Sequence, residues 1–180
     1  GFPVRRHRRN DVAIFRKHKT PYALLHCTSM YPTPYEKVRL GGIAELHNAF
    51  PDAVIGLSDH SLGIWTCLGA VSLGAAILEK HFTSDKQWPG PDVPISIAPE
   101  ELRNMIVGSR AIWEARGGKK TILQEEQSTI DFAYACVVAI KDIKRGDRFT
   151  KENVWVKRPG TDEIRATHFD EILNKTSETN

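Results

Sequence analysis

Long apolar runs, paired cysteines and a surplus of one charge are all missing from this sequence, and each absence closes off a class of protein. The longest stretch of low polarity, Cys67 to Leu78, is shorter than the roughly 20 residues a bilayer-crossing helix needs, so no membrane span is expected. The basic start is not followed by an apolar segment, so no secretory signal is expected. Only three cysteines occur among 180 residues, Cys27, Cys67 and Cys136; they lack CxxC spacing, and two of them sit inside apolar runs. They read as thiols of a reducing compartment, without disulfides, and the cytoplasm is the expected location. Lys and Arg total 25 against 22 for Asp and Glu, a formal net charge of +3. A balance that small and dispersed argues against a nucleic-acid partner. The dense basic cluster, Arg5, Arg6, Arg8 and Arg9 around His7, reads as a solvated tail, with an anion-binding arm as the alternative. No internal repeat and no low-complexity tract is present.

What is present suffices for a core. The hydrophobic share is 41%, and the length suits one domain, or one domain and part of another. "YALLHC" (22 to 27), "AVIGLSDH" (53 to 60) and "AAILEKHF" (75 to 82) are short continuous apolar runs that end in polar residues. Continuous rather than alternating apolar character suits parallel strands covered on both faces. Between the first two, Val38, Leu40, Ile43, Leu46 and Phe50 recur at near-helical spacing until Pro51. Between the second and third, "SLGIWTCLGAVSLG" reads as a small-residue helix that packs closely on a sheet. A further helix is expected over 98 to 118, opened by Pro99 and Glu100 and closed by Gly117 and Gly118. Its inward face would carry Leu102, Met105, Ile106, Ser109, Ile112 and Trp113. Strand spacing with helical crossovers fits an α/β architecture, either a TIM barrel or a doubly wound sheet; in both, chemistry collects at the carboxyl ends of the strands.

From Gly117 the texture changes. "GGKKTILQEEQSTIDF" reads as a polar linker over 117 to 132. From 133 onward, short β-like runs alternate with turns at Arg145-Gly146 and Pro159-Gly160. This is expected to be the start of a small second domain. Residues 1 to 116 form the first, with 1 to 11 set aside as an atypical tail.

The polar residues at the strand ends are the candidates for chemistry. Buried charge is costly unless compensated, so an apolar strand that ends in Glu79, Lys80 and His81 points to a site. His60 and His81 stand at equivalent strand ends, and two imidazoles there suit a divalent ion such as manganese, iron, cobalt or zinc. Each histidine alone also has a plain structural reading. Glu79 projects to the same side as His81 and fits a general acid or base, or a carboxylate that orients a ligand; a salt bridge to a lysine of the fold is the alternative. Asp59 flanks His60 and carries the same acid-base reading. Ser58 suits a phosphate or carboxylate oxygen, or a cap on the following helix. The loop "TSMYPTPYE" (28 to 36) offers the hydroxyls of Thr28, Ser29 and Tyr31 to a polyol, and is otherwise an ordinary turn. Asp92, in "WPGPD", could accept hydrogen bonds from sugar hydroxyls or sit as a surface carboxylate before a helix. His18, His26 and His47 carry no partner pattern.

Taken in order, "LLHCTSMYPTPYEKVRL", "FPDAVIGLSDHS", "LGAAILEKHFT", "PGPD", "ARGGKK" and "VWVKRPG" resemble the sialic acid synthase family, whose members make N-acetylneuraminate, legionaminate and pseudaminate. The resemblance covers about residues 12 to 175 and leaves out "GFPVRRHRRN". It implies the C-terminal portion, about the last three βα units, of a TIM (β/α)8 barrel, followed by an incomplete antifreeze-like (SAF) β-rich domain. It also implies condensation of phosphoenolpyruvate with an N-acetylated aminosugar, N-acetylmannosamine or a related 6-deoxy sugar, giving a nine-carbon keto acid and phosphate.

Carried over by motif, the metal ligands fall on His60 and His81, the neighbouring carboxylate on Glu79 and the phosphoenolpyruvate serine on Ser58. Aminosugar contacts fall on Tyr31 and Asp92, with Phe132 and Arg158 supplied across a domain-swapped homodimer; Ser29 is a further substrate-binding candidate, at a position where members carry Asn or Ser, which leaves its role and the substrate branch open. The implied metal is manganese, with magnesium or cobalt as alternatives; no nucleic acid and no membrane is implied. The family's other barrel strands carry its phosphate-binding lysine, so a chain with three strands is expected to be inactive and to self-associate. Other readings are a metal-dependent aldolase or sugar isomerase on the same barrel, or a non-catalytic interaction module.

Overall fold

The computed structural model describes residues 7–160 and 164–179, without the side chains of residues 7–10; the basic cluster around His7 therefore lies outside the described side chains. Two compact units divide the chain, residues 1–118 and 119–180.

In the first unit, apolar runs with β-branched and leucine residues form the strands β1 (Ala23–Cys27), β2 (Val54–Asp59) and β3 (Ile77–Lys80). They pair in parallel in the order β1-β2-β3, with β2 in the middle and buried from Ile55 onward. Register runs from Ala23↔Val54 to Cys27↔Ser58 on one side and from Gly56↔Ile77 to Asp59↔Lys80 on the other. Gly56 allows the second pairing to come close: a Cβ there would stand 2.5 Å from the Ile77 carbonyl oxygen.

Helices link and cover the strands: α1 (His7–Lys17), α2 (Tyr35–Val38), α3 (Gly42–Ala49), α4 (Trp65–Ser72) and α5 (Pro99–Ala115). The helix expected through 38 to 50 is two helices. Arg39 takes a left-handed conformation at φ 55°, which ends α2 before the glycines that open α3. Val12 of α1, Val38, Ile43, Leu46, Phe50, Ile55, Leu57, Cys67 and Met105 share one core. Val12 is 1% exposed, so helix α1 packs into the fold although its first half reads as an atypical tail by sequence. Pro99 opens α5, and the Glu101 carboxylate reaches back to the Ala98 N–H at 2.9 Å, which holds its carboxyl below the usual range. The inward face of α5 is narrower than its apolar spacing suggests. Met105 is buried and Leu102, Ser109 and Ile112 are half-buried, whereas Ile106 and Trp113 are exposed.

In the second unit, the segment expected as a polar linker carries a 3-10 turn at Gln124–Glu126 and the helix α6 (Gln127–Ala133). Gln127 donates to Asp131 one turn later at 2.6 Å, a contact that favours helix over coil. Strands β4 (Cys136–Ala139) and β5 (Val154–Lys157) pair antiparallel, and a short helix α7 (Phe169–Ile172) follows. The turn at Arg145-Gly146 places Gly146 at φ 89°, a conformation glycine adopts without strain. Among the described residues here, Cys136 and Val154 are the buried apolar ones, and Trp155 meets Phe169 edge to face with ring centroids 5.4 Å apart.

Candidate active site

Parallel pairing of β2 and β3 stacks three cross-strand pairs at their carboxyl ends. Ser58 faces Glu79 and Asp59 faces Lys80 in the ladder; His60 and His81 come one residue later on each strand. Side chains alternate across a sheet, so the first and third pairs share one face and Asp59 and Lys80 take the other.

On the first face the Ser58 hydroxyl donates to Glu79 Oε1 at 2.7 Å. Ser58 thus lies in β2 and does not cap a helix; the residue that precedes α4 is Ile64. Glu79 is exposed and pairs with a hydroxyl, not with a lysine. The rings of His60 and His81 stand 5.2 Å apart between centroids, inclined at 60°. Tyr31 leans over both, 4.2 Å from the His60 ring and 6.0 Å from the His81 ring. His60 is 6% exposed, and its Nδ1 donates to the Thr28 carbonyl at 3.1 Å. Thr33 closes the same loop onto the strand end, its N–H donating to the His60 carbonyl at 2.9 Å. The hydroxyl-rich turn after β1 is therefore tied to the candidate site, and Ser29 lies exposed within it. His81 Nδ1 approaches Asp92 Oδ2 at 3.7 Å, within ion-pair range but longer than a hydrogen bond. His81 and Asp92 both line a hollow of about 480 Å³, with Phe82, Trp88 and Ser96 among its walls.

Two imidazoles that share one ion at bonds of about 2.1 Å have ring centroids about 4.5 to 5 Å apart. The observed separation agrees within a few tenths of an ångström. Occupation of His60 Nδ1 by a carbonyl fixes the tautomer and leaves Nε2 as the electron-pair donor, the usual arrangement of a histidine ligand. The donor set therefore fits a divalent cation. Among the described residues no third His, Cys, Asp or Glu gathers with them, so other ligand positions would fall to water and substrate.

The opposite face carries a pairing that the strand-end pattern does not announce. Lys80 Nζ donates to Asp59 Oδ2 at 2.6 Å and also to the Ser61 carbonyl, and both charged side chains are 1% exposed. Asp59 further accepts from the Ser61 hydroxyl at 2.9 Å and the Ser61 N–H at 3.3 Å; Thr66 completes the chain at 2.7 Å from that hydroxyl. Asp59 is thus fully engaged and is not available as a general base, an alternative that its place beside His60 suggests. Burial, then the Asp59 charge, pushes the Cys67 thiol up to about 12, which makes it an inert core residue. The signal for Lys80 lies in strand alternation: it cannot share a face with its neighbours Glu79 and His81.

Phe132 and Arg158 belong to the second unit. Phe132 is 72% exposed on α6, and Arg158 follows β5 at the wall of a hollow of about 560 Å³ that Arg165 and Tyr134 also line. His26 Nε2 donates to the Val38 carbonyl at 2.7 Å, and His47 Nε2 donates to the Gly74 carbonyl at 3.3 Å, both structural contacts. The three cysteines are thiols, and no helix of the described residues is long and apolar enough to cross a membrane.

Comparison with known proteins finds a family for each part of the chain. The NeuB family profile matches residues 6–121 and the SAF domain profile residues 134–180. The first match takes in the second half of the opening stretch that the motif resemblance leaves out. The chain is 42% identical over 158 residues, 87% of its length and 47% of the relative's, to N,N'-diacetyllegionaminic acid synthase of Campylobacter jejuni. It is 38% identical over 137 residues, 76% of its length and 38% of the relative's, to human N-acetylneuraminate-9-phosphate synthase. Among solved structures it superposes on the N-acetylneuraminic acid synthetase of Leptospira borgpetersenii in complex with citrate, with a TM-score of 0.66 and 38% identity, covering 72% of this chain and 46% of that one. The chain spans about half the length, or less, of the curated relatives it matches.

Proposed function

The chain belongs to the NeuB family of TIM-barrel synthases and carries a SAF domain, and from that premise we propose that its strand ends form part of the active site of a sialic-acid-type synthase. The reaction is condensation of phosphoenolpyruvate with an N-acetylated aminosugar, N-acetylmannosamine or a related 6-deoxy sugar, to a nine-carbon keto acid and phosphate. The observation that carries this reading is the pair of imidazoles 5.2 Å apart, with the His60 Nδ1 taken up by the Thr28 carbonyl so that Nε2 is its electron-pair donor.

His60 and His81 would hold a divalent cation, manganese first and magnesium or cobalt as alternatives. When bound, such an ion acts as a Lewis acid toward the carbonyl of the open-chain sugar. Carbon 3 of phosphoenolpyruvate then attacks that carbonyl carbon, water adds at carbon 2, and carbon-oxygen cleavage releases phosphate. Glu79, held by the Ser58 hydroxyl at 2.7 Å, is placed to accept and return a proton during these steps. With phosphoenolpyruvate bound, the Ser58 hydroxyl turns from Glu79 to donate to a phosphoenolpyruvate oxygen. Tyr31 and Asp92 flank the imidazoles and bind the aminosugar, with Ser29 beside them. Phe132 and Arg158 complete the sugar site of a partner's barrel in a swapped homodimer. Three cysteines without CxxC spacing are in keeping with a cytoplasmic enzyme.

The test is phosphate release from phosphoenolpyruvate and each candidate aldose with manganese. It is run on the 180-residue chain and on a chimera in which the first half of the Campylobacter synthase supplies the other strands. The chain alone is expected to be inactive. The chimera is expected to release phosphate, and to lose this activity with His60→Ala or His81→Ala. A folded chimera that releases no phosphate with any of these aldoses overturns the proposal, and turnover of a sugar without phosphoenolpyruvate assigns an aldolase or isomerase instead.

A further inference from the structure

We propose that Asp59 and Lys80 are positioning residues that set the separation and tilt of His60 and His81 from the far face of the sheet. The inference rests on the reading of those imidazoles as ligands and concerns residues that touch neither ion nor substrate.

The backbone ladder between β2 and β3 ends at Asp59↔Lys80, one residue short of the histidines. Beyond it, the distance between the two strand ends is left to side chains. Lys80 supplies the link: its ammonium bonds both the Asp59 carboxylate and the Ser61 carbonyl, the two residues that bracket His60, and Lys80 itself immediately precedes His81. One buried cation thus fastens the chain on either side of one imidazole to the residue before the other. Ser61, itself bonded to Thr66 in the first turn of α4, braces Asp59. Other bonds act on each histidine separately: Thr28 holds His60 through Nδ1, and the Ile97 N–H holds the His81 carbonyl at 2.8 Å. Neither of these ties one strand end to the other; on the near face the Ser58–Glu79 bond and the Tyr31 ring also span the two strands, and the Lys80 link is the one that fastens both neighbours of His60.

Stability alone gives little reason for the arrangement. Both charges lose their hydration on burial, and a buried pair replaced on both sides by uncharged residues of like size is often neutral or stabilising. Fixing a ligand pair gives the charges a role that packing does not supply, because residues behind a metal site change its affinity about 10- to 100-fold when altered.

The test compares the chain with the double variant Asp59→Asn, Lys80→Met, which removes both charges and leaves neither unpaired. Three quantities are read: the urea midpoint, the cobalt(II) affinity with its visible absorption spectrum, and, without metal, nuclear Overhauser effects between the His60 and His81 rings. The expected result is a urea midpoint close to that of the unaltered chain, ring-to-ring Overhauser effects abolished, and cobalt bound about 10-fold or more weakly with a shifted spectrum. Unaltered Overhauser effects and cobalt binding in the double variant overturn the inference. His60→Ala and His81→Ala separate it from the parent reading. If they bind cobalt as the unaltered chain does, the ligand assignment fails and the metal-free Overhauser effects decide the positioning role by themselves. Should the double variant not fold, Ser61→Ala loosens Asp59 without burying a lone charge; it is expected to move the spectrum and the Overhauser effects in the same direction by less, and no change in either overturns the proposal.

Discussion

Two ion pairs of equal length, 2.6 Å, occupy opposite ends of the first unit's sheet, and their settings differ in almost every other respect. At the amino end, Arg16 of α1 grips Asp52 through two nitrogens while Tyr22 donates to the same carboxylate, with the ion-pair side chains 49% and 45% exposed. At the carboxyl end, Lys80 and Asp59 are 1% exposed. The first pair is solvated and screened, so it adds little beyond local order. The second has no water to fall back on, so either charge left alone destabilises the fold. Length therefore says nothing about the consequence of losing a pair; burial does, and burial here coincides with the polar strand ends.

The largest effect expected from breaking that contrast is at the buried end. Asp59→Ala leaves the Lys80 ammonium uncompensated and should cost about 3 to 5 kcal/mol, read as a fall in the urea midpoint. A cost near that of a surface substitution would mean that the pair is solvated. Next comes the seam that brings the two strands together. Gly56→Ala sets a Cβ against the Ile77 carbonyl, a backbone atom that cannot rotate away, so overpacking of about 1 to 3 kcal/mol is expected by the same measurement.

Much of this arrangement can be read in the residues, though not all of it. Continuous apolar runs ending in Ser58, Asp59 and His60, and in Glu79, Lys80 and His81, state both the parallel strands and the place of the polar cluster. The pairing of Asp59 with Lys80 is not so directly legible, because it depends on the register between two strands, and a register slip of one residue would exchange the faces. The break after Val38 is hidden for a different reason: Val38, Leu40 and Ile43 keep helical spacing, and only the left-handed Arg39 interrupts it. On α5, Ile106 and Trp113 look inward by spacing and are exposed, because burial on this helix is confined to Met105 and a few half-buried neighbours such as Leu102 and Ser109, and Trp113 stands at the rim of an open hollow.

The smallest effect belongs to the amino end. Arg16 holds the Asp52 carboxyl below the usual carboxylate range, chiefly by hydrogen bonding, so the folded state binds a proton there less readily than the unfolded chain. The contribution is then present above the ordinary carboxylate pKa of about 3.9 and is lost as the pH falls through the lower folded value. Arg16→Ala should therefore flatten the acid limb of a stability-against-pH curve slightly at low ionic strength and leave no measurable difference at about 0.15 M salt. A clear loss of stability at that salt would place this pair with the buried one.

The claim on which the functional account depends is that His60 and His81 hold one cation between them. Crystals of the chain soaked in manganese and measured for anomalous scattering test it directly. The expected map has a single peak within about 2.3 Å of an imidazole nitrogen of both residues. Saturating manganese with no peak between the rings, or a peak on only one of them, would contradict the account.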